Sequence, residues 1–262
     1  MSKIIHILFV ADIVGQPGIT ITEKLLPSLK QKYHIEFCIA NGENASGGKG
    51  ISDKIVRHLK SLGVDVITSG NHIWDRKDSS QVLNNHRYLL RPLNYPASTP
   101  GYGSIVFVTA NQTKIGVVNL QGRTFMQPLD DPFTVGLREI QRINKDTKIS
   151  IVDFHAEASA EKATLGWYLD GKVSAVIGTH THVQTADERI LPNGTAYITD
   201  VGMTGPFDSV IGMKKEIAIH RFLHQTPQKY EIAKDNLHLC AVVISVEQET
   251  GKAVDIERII IP

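Results

Sequence analysis

Asp, Glu, Asn and His recur in this sequence in short clusters, each set just past an apolar run. Asp12 follows Ile4 to Val10, and Asn41-Gly42-Glu43-Asn44 follows Phe37 to Ala40. Gly70-Asn71-His72 follows Val64 to Thr68, His155 follows Ile149 to Phe154, and Gly178-Thr179-His180-Thr181-His182 follows Val173 to Ile177. Singly, each has an ordinary explanation: Asn and Asp form turns, and a lone His after a strand is usually a satisfied polar residue. The His-x-His pair says more, because alternate residues of an extended segment share a face and both imidazoles can converge. Five clusters in one position relative to their strands exceed what turn chemistry explains, since α/β sheets place their sites beyond the carboxyl ends of strands.

The donor types decide the chemistry. Imidazole, carboxylate and amide oxygen, with no thiolate in the motifs, suit iron, manganese or zinc better than calcium. Two divalent ions would bring four positive charges, and Asp12 and Glu43 would return two negative ones. Asn44, Asn71, His155, His180 and His182 would be neutral ligands, leaving an excess of positive charge that suits an anionic phosphate and lowers the pKa of a bound water.

The elements that must position these residues alternate. The five runs above, with Ile115 to Leu120 and Ala196 to Thr199, read as buried strands, many of them β-branched. A helix is expected from Ser52 to Leu62, with a Ser cap and Ile55, Val56, Leu59 and Leu62 on one face. Glu157 to Leu169 and Met213 to Leu223 are similar, and Gly15-Gln16-Pro17-Gly18 opens a further helix, serving as a turn rather than an anion site. Tyr102 to Ala110 and Lys114 to Asn119 form a hairpin turning at Asn111-Gln112. Towards the C-terminus, Gln228 to Lys234, Leu237 to Val246 and Ala253 to Ile261 read as consecutive strands, the last two joined at Glu249-Thr250-Gly251. The expectation is a layered α/β (α+β) fold with a mixed sheet, in one domain spanning residues 1–262.

Composition narrows the function classes. The 28 basic and 27 acidic residues give a formal net charge of +1, without a basic tail or stripe. Duplex DNA and anionic membrane are therefore not expected partners, and phosphate recognition must be local. Cys38 and Cys240 each sit in an apolar run and read as small hydrophobes. No apolar run approaches about 18 residues, and the amino terminus is too short and too soon interrupted by Asp12 for a signal peptide, so a cytoplasmic location is the expectation.

The clusters resemble those of the calcineurin-like metallophosphoesterases. The wider phrases ADIVGQPG, NGENASGGKG, GNHIWD, RPLNYP, NLQGRTF, PLDDPF, FHAEA, GTHTHVQTAD and AYITDVGMTGP are similar to the bacterial YmdB-like branch, across nearly the whole chain. The resemblance implies a mixed-sheet sandwich flanked by helices, and phosphodiesterase activity on 2′,3′-cyclic nucleotides among other diesters; with no basic stripe, any RNA substrate is expected to be short or single-stranded, such as RNA ends. It implies two transition-metal ions, with Glu43 bridging, Asp12, Asn44 and His182 completing one site, and Asn71, His155 and His180 the other. His72 is then the general acid that protonates the leaving oxygen while metal-bound hydroxide attacks phosphorus. Self-association into a homo-oligomer is implied as well.

Two features depart from the wider superfamily. Its common Asp-x-His becomes Asp12-Ile13-Val14, removing one nitrogen ligand. Glu43 stands where Asp is usual, and Ile73 follows His72 in place of an acid, leaving Asp75 as the candidate to orient His72. Trp74 and Trp167 read as core or pocket-wall residues, and Arg123 as either a phosphate contact or a loop stabiliser. The competing functions are a phosphomonoesterase or nucleotidase, a metal amidohydrolase, and a regulatory nucleotide-binding protein with incidental catalysis. The amidohydrolase is disfavoured because its His-x-His belongs after the first strand.

Overall fold

A computed structural model describes residues 3–262. Thirteen strands and six α-helices are found among them. In chain order the first half holds β1 (Ile4–Val10), β2 (Asp12–Ile13), α1 (Gly15–Lys32), β3 (Phe37–Asn41), α2 (Asp53–Ser61), β4 (Val66–Thr68), α3 (Ser79–Asn85), β5 (Ser104–Val108) and β6 (Lys114–Gln121). The second half holds α4 (Pro132–Ile143), β7 (Ile149–His155), α5 (Ser159–Leu169), β8 (Ala175–Thr179), β9 (Arg189–Ile190), β10 (Ala196–Ile198), β11 (Met203–Pro206), α6 (Lys215–His224), β12 (Leu237–Glu247) and β13 (Ala253–Ile261).

The strands form two mixed sheets. One runs β2-β11-β12-β1-β3-β4 with β13 also paired to β12, and the other runs β5-β6-β7-β8-β10-β9. Within the first, β1, β3 and β4 are parallel, while β12 lies antiparallel to β1. Within the second, β6, β7, β8 and β10 are parallel. This is the layered, mixed-sheet sandwich expected from the sequence.

Both faces of the central strands are covered, which is why they read as unbroken apolar runs. Alternate residues of β1 show the division: Ile5, Ile7 and Phe9 face the second sheet, packing with Val117, Ile151 and Ile177. Leu8 and Val10 face outwards, with Leu26 and Leu29 of α1 and Val56 and Leu59 of α2. On the far side, Val118, Leu120, Val152 and Phe154 pack under Ile140 and Ile143 of α4 and Leu165 and Leu169 of α5. Phe9 is fully buried between the layers, so Phe9→Ala should cost about 3–5 kcal/mol of stability.

Helix starts follow their caps. Ser52 Oγ accepts a hydrogen bond from Ile55 N at the head of α2, and Asp131 caps α4 through Phe133 N and Thr134 N, with Pro132 next in the helix. The Asp131-Pro132 pair is a start signal the sequence reading passed over.

One expected strand is absent. Gln228 to Lys234 runs over the surface and pairs with the chain at one antiparallel bridge, Ile232 with Met213, through Lys214 N to Glu231 O and Ala233 N to Gly212 O, both 3.0 Å, with the Lys214–Glu231 ion pair beside it. Its alternating pattern has a different origin: a Cβ on Gly48 would lie 2.6 Å from the Tyr230 ring, and one on Gly15 2.3 Å from Ile232 Cδ1. The strap seats Tyr230 and Ile232 on two glycines and buries Ala233 beside them, so its apolar residues are explained by these contacts and not by a sheet.

Candidate metal centre

All eight residues singled out at strand ends meet at the carboxyl edges of the two sheets. Asp12 opens β2, Glu43 and Asn44 follow β3, and Asn71 and His72 begin a single 3-10 turn, Asn71–Trp74, after β4. His155 ends β7, and His180 and His182 follow β8. Glycine permits the convergence at one point above all: a Cβ on Gly70 would stand 2.0 Å from His155 Cδ2.

His155 is the hub, and it is fully buried. Its Nδ1 lies 2.9 Å from Thr179 Oγ1, whose hydroxyl donates to Asp153 Oδ1 at 2.7 Å. The hydroxyl proton is thus committed, so Nδ1–H donates to Thr179 and Nε2 of the neutral ring is a lone pair. That atom faces Glu43 Oε1 at 3.1 Å, Asn71 Oδ1 at 3.2 Å and His180 Nδ1 at 3.0 Å. His180 in turn sets Nε2 against the Glu157 carboxylate at 3.1 Å, leaving Nδ1 as an inward lone pair. Four acceptors therefore crowd one gap, which requires a positive species among them: a proton or a metal ion. Glu43, His155 and His180 bring their ligand atoms within 4.8 Å of one another.

The other half of the cluster is arranged differently. His182 Nδ1–H donates to Ile211 O at 2.9 Å, so its Nε2 lone pair turns inward, 3.8 Å from Asp12 Oδ2. Asp12 is fully buried; Oδ2 accepts from His180 N at 2.9 Å, while Oδ1 has no hydrogen-bond partner. A buried carboxylate oxygen without a donor is costly, and a cation relieves it. Asn44 turns Nδ2 towards Glu43 Oε1 and His182 Nε2, both at 3.1 Å; ligation there requires Oδ1, a half-turn of the amide. Val14 is buried and lies against Gly212 rather than the centre. The donor set suits transition-metal binding, and the second nitrogen of each imidazole is anchored by an oxygen, as metal-bound histidines require.

Electrostatics follow from burial and crowding. Burial pushes the Asp12 carboxyl well above its ordinary range. Burial also pushes Glu43 up, but His155, His72 and His180 outweigh it and hold its pKa down at about 2. For His155 burial opposes the charge, yet Glu43, Asp12 and Asp153 raise its pKa to about 9. Burial and the His155 charge drive His180 down to about 3. In the chain alone the gap thus favours one proton, on His155 beside an ionised Glu43. Both thiols, pushed up to about 12 by burial, are inert.

His72 stands at the rim, its backbone N–H donating to Glu43 Oε2 at 3.0 Å and its Nδ1 lying 2.9 Å from Asp75 Oδ2. Asp75, proposed from sequence as its orienting acid, occupies that position, and Lys49 Nζ lies 3.4 Å from the same carboxylate. Arg123 instead pairs with Asp131 at 3.0 Å, the loop-stabilising alternative. Trp74 packs against the core and sits 5.3 Å from the Tyr95 ring. Trp167 departs from expectation: it is 53% exposed and lies under the Arg189 guanidinium, since α5 turns that position outwards.

Three contributors escaped the sequence reading. Asp200 and Lys162 form a buried ion pair at 2.6 Å, and Asp200 Oδ2 also accepts from Thr181 N and Oγ1. Those bonds brace a turn in which His180 and His182 both hold positive φ, 99° and 65°, a strained state for residues other than glycine. The third is Glu157 beside His180. Asp200 carried the same signal as the others, since it follows β10, another strand ending in a polar residue.

Two mixed sheets flanked by helices, with this cluster at their carboxyl edges, define a metallophosphoesterase. The chain belongs to the YmdB-like family: the model described as YmdB-like protein matches residues 8–259. It is 52% identical over 256 residues to the 2′,3′-cyclic-nucleotide 2′-phosphodiesterase of Bacillus subtilis (strain 168), covering 98% of this chain and 97% of that one. A putative phosphatase/phosphodiesterase of Mycoplasma pneumoniae is 41% identical over 266 residues, covering 99% and 94%. Among solved structures, a novel phosphatase from Mycoplasma pneumoniae superposes with a TM-score of 0.93 at 41% identity, covering 100% and 94%. A hypothetical protein from Thermus thermophilus gives 0.91 at 40% identity, covering 98% and 99%. No helix among the described residues is long and apolar enough to cross a membrane.

Proposed function

We propose that this enzyme hydrolyses phosphodiesters of the 2′,3′-cyclic nucleotide type, with His72 as general acid. The observation that carries the site assignment is the crowding of acceptors at His155 Nε2, which calls for a cation where a phosphate oxygen could also reach. The name of the Bacillus subtilis relative supports the substrate class.

In this reading Glu43, Asp12, Asn44 and His182 would hold one ion, and Asn71, His155 and His180, again with Glu43, would hold a second. Iron or manganese fit the nitrogen and oxygen donors best, zinc next. The metals would supply Lewis-acid charge and a water activated at neutral pH. The remaining work falls to the chain. Asp75 accepts from His72 Nδ1–H, which fixes the ring and points Nε2 at the substrate. As the oxygen of a water bonds to phosphorus and the ester P–O bond breaks, His72 Nε2–H passes to the departing ribose oxygen, and the water's surplus proton is released to solvent, from which His72 is reprotonated. Lys49, lining the same pocket, adds positive charge for a phosphate oxygen.

The test is turnover of 2′,3′-cyclic AMP with metal added and with chelator. Hydrolysis to a monophosphate, stopped by the chelator, is expected; undiminished turnover in metal-free protein rejects the reading. A monoesterase is the second reading, drawn from the names given to the Mycoplasma relatives. Faster release of phosphate from a nucleoside 3′-monophosphate than cleavage of the cyclic diester would favour it. Cytoplasmic location and self-association, both expected from sequence, belong to the same proposal; light scattering tests the latter.

A further inference from the structure

The pocket over the metal centre is small for the substrate class proposed above. Lined by Glu43, His72, His180 and Tyr230 among others, it measures about 180 Å³, whereas pockets that enclose whole small-molecule ligands span roughly 300–1,000 Å³. It can seat a reacting phosphodiester but leaves the rest of a nucleotide outside.

A larger cleft of about 520 Å³ opens beside it, between the 210–213 turn, α6 and the 225–227 segment. Ile211 and Met213 line both spaces, so one short turn forms the wall between them. That turn is fixed at both ends: Val210 N and Met213 O bond at 2.8 Å, and Met213 N and Val210 O at 3.0 Å. It is also tied to the centre, because Ile211 O holds His182 Nδ1. A ligand crossing the turn therefore meets a rigid lip whose backbone already orients a metal-facing imidazole.

The cleft's lining has a definite chemistry. Phe222 presents an open ring, 79% exposed, and Ile211, 53% exposed, supplies an apolar surface. Gln225 and Thr226 add amide and hydroxyl groups, and Arg221 is the one charged residue among the described lining. A flat apolar wall bordered by hydrogen-bonding side chains matches an aromatic heterocycle that carries polar atoms on its edge. We propose that this cleft is the nucleobase subsite: the cyclic phosphate lies over Glu43 and His180, the ribose crosses Ile211, and the base stacks on Phe222. This rests on the cyclic-nucleotide reading given above, and it makes Phe222 a residue that sets substrate preference.

The experiment compares wild type, Phe222→Ala and Phe222→Tyr on 2′,3′-cyclic AMP and on a base-free methyl riboside 2′,3′-cyclic phosphate. Loss of a base–aromatic stack predicts a rise of about tenfold or more in KM for the nucleotide in Phe222→Ala, with kcat retained. The base-free substrate should be unaffected, and Phe222→Tyr should restore the nucleotide KM. Equal losses on both substrates, no loss on either, or a change of oligomeric state alone would overturn the proposal. Calorimetric titration with adenosine 3′-monophosphate separates this from the reading it rests on. Absent hydrolysis by the wild type would reject the diesterase, while nucleotide binding that is indifferent to Phe222→Ala would reject the subsite.

Discussion

The two halves of the centre are built to different standards. Around His155 both imidazoles are held by side chains behind them: Thr179 and Asp153 behind His155, and Glu157 behind His180. Around Asp12 the arrangement is looser, with an unpartnered Oδ1, an Asn44 amide turned nitrogen-inward and Val14 where the wider superfamily places an imidazole. The lesson is that a metal site is prepared by the groups behind its ligands as much as by the ligands themselves. On the proposed two-ion reading, the His155 half is expected to keep its ion under conditions that empty the Asp12 half.

The strongest test removes what both halves share. Glu43→Gln should abolish hydrolysis of a nitrophenyl diester, with metal analysis showing both ions lost; retained metal and activity would break the shared-carboxylate view. His72→Ala should slow turnover by on the order of 10²–10⁴-fold while metal content stays at the wild-type level. Metal loss in that variant would reassign His72 to the scaffold. Asp12→Ala should remove one of the two ions and leave the other, read by elemental analysis after dialysis; an unchanged pair would erase the contrast between the halves. Thr179→Val withdraws the acceptor behind His155 and should weaken metal affinity about 10–100-fold, measured by competition with a chromophoric chelator. Least of all, Arg123→Ala breaks an exposed pair with Asp131 and should change stability by under about 1 kcal/mol, with kcat/KM unaltered. A large kinetic effect there would revive the phosphate-contact alternative.

Much of this was legible because two regularities survive in one dimension. A strand covered on both faces is apolar throughout, so β1, β3, β7 and β8 stand out, and the polar residues at their carboxyl ends are then conspicuous. The same rule extended to Ala196–Ile198 reaches Asp200. Other features were illegible for physical reasons. Glu157 sits two residues past His155 on an open surface, and only the fold shows that His180 comes back to meet it. The Gln228 to Lys234 strap reads as a strand because its apolar residues seat on glycines and on the 212–214 backbone, contacts that a one-dimensional pattern does not separate from sheet pairing.

By itself, the sequence determined the donor inventory, the strands that carry it and the nitrogen and oxygen character of the centre, since residue type and burial period are local properties. The tertiary structure alone decided which lone pairs face inward, which partner anchors each imidazole, how unequal the two halves are, and that an apolar cleft adjoins the metal pocket. Those depend on distances between residues remote in the chain, such as Asp12 and His180, 168 positions apart, and only the packing of two sheets brings such atoms within hydrogen-bond reach.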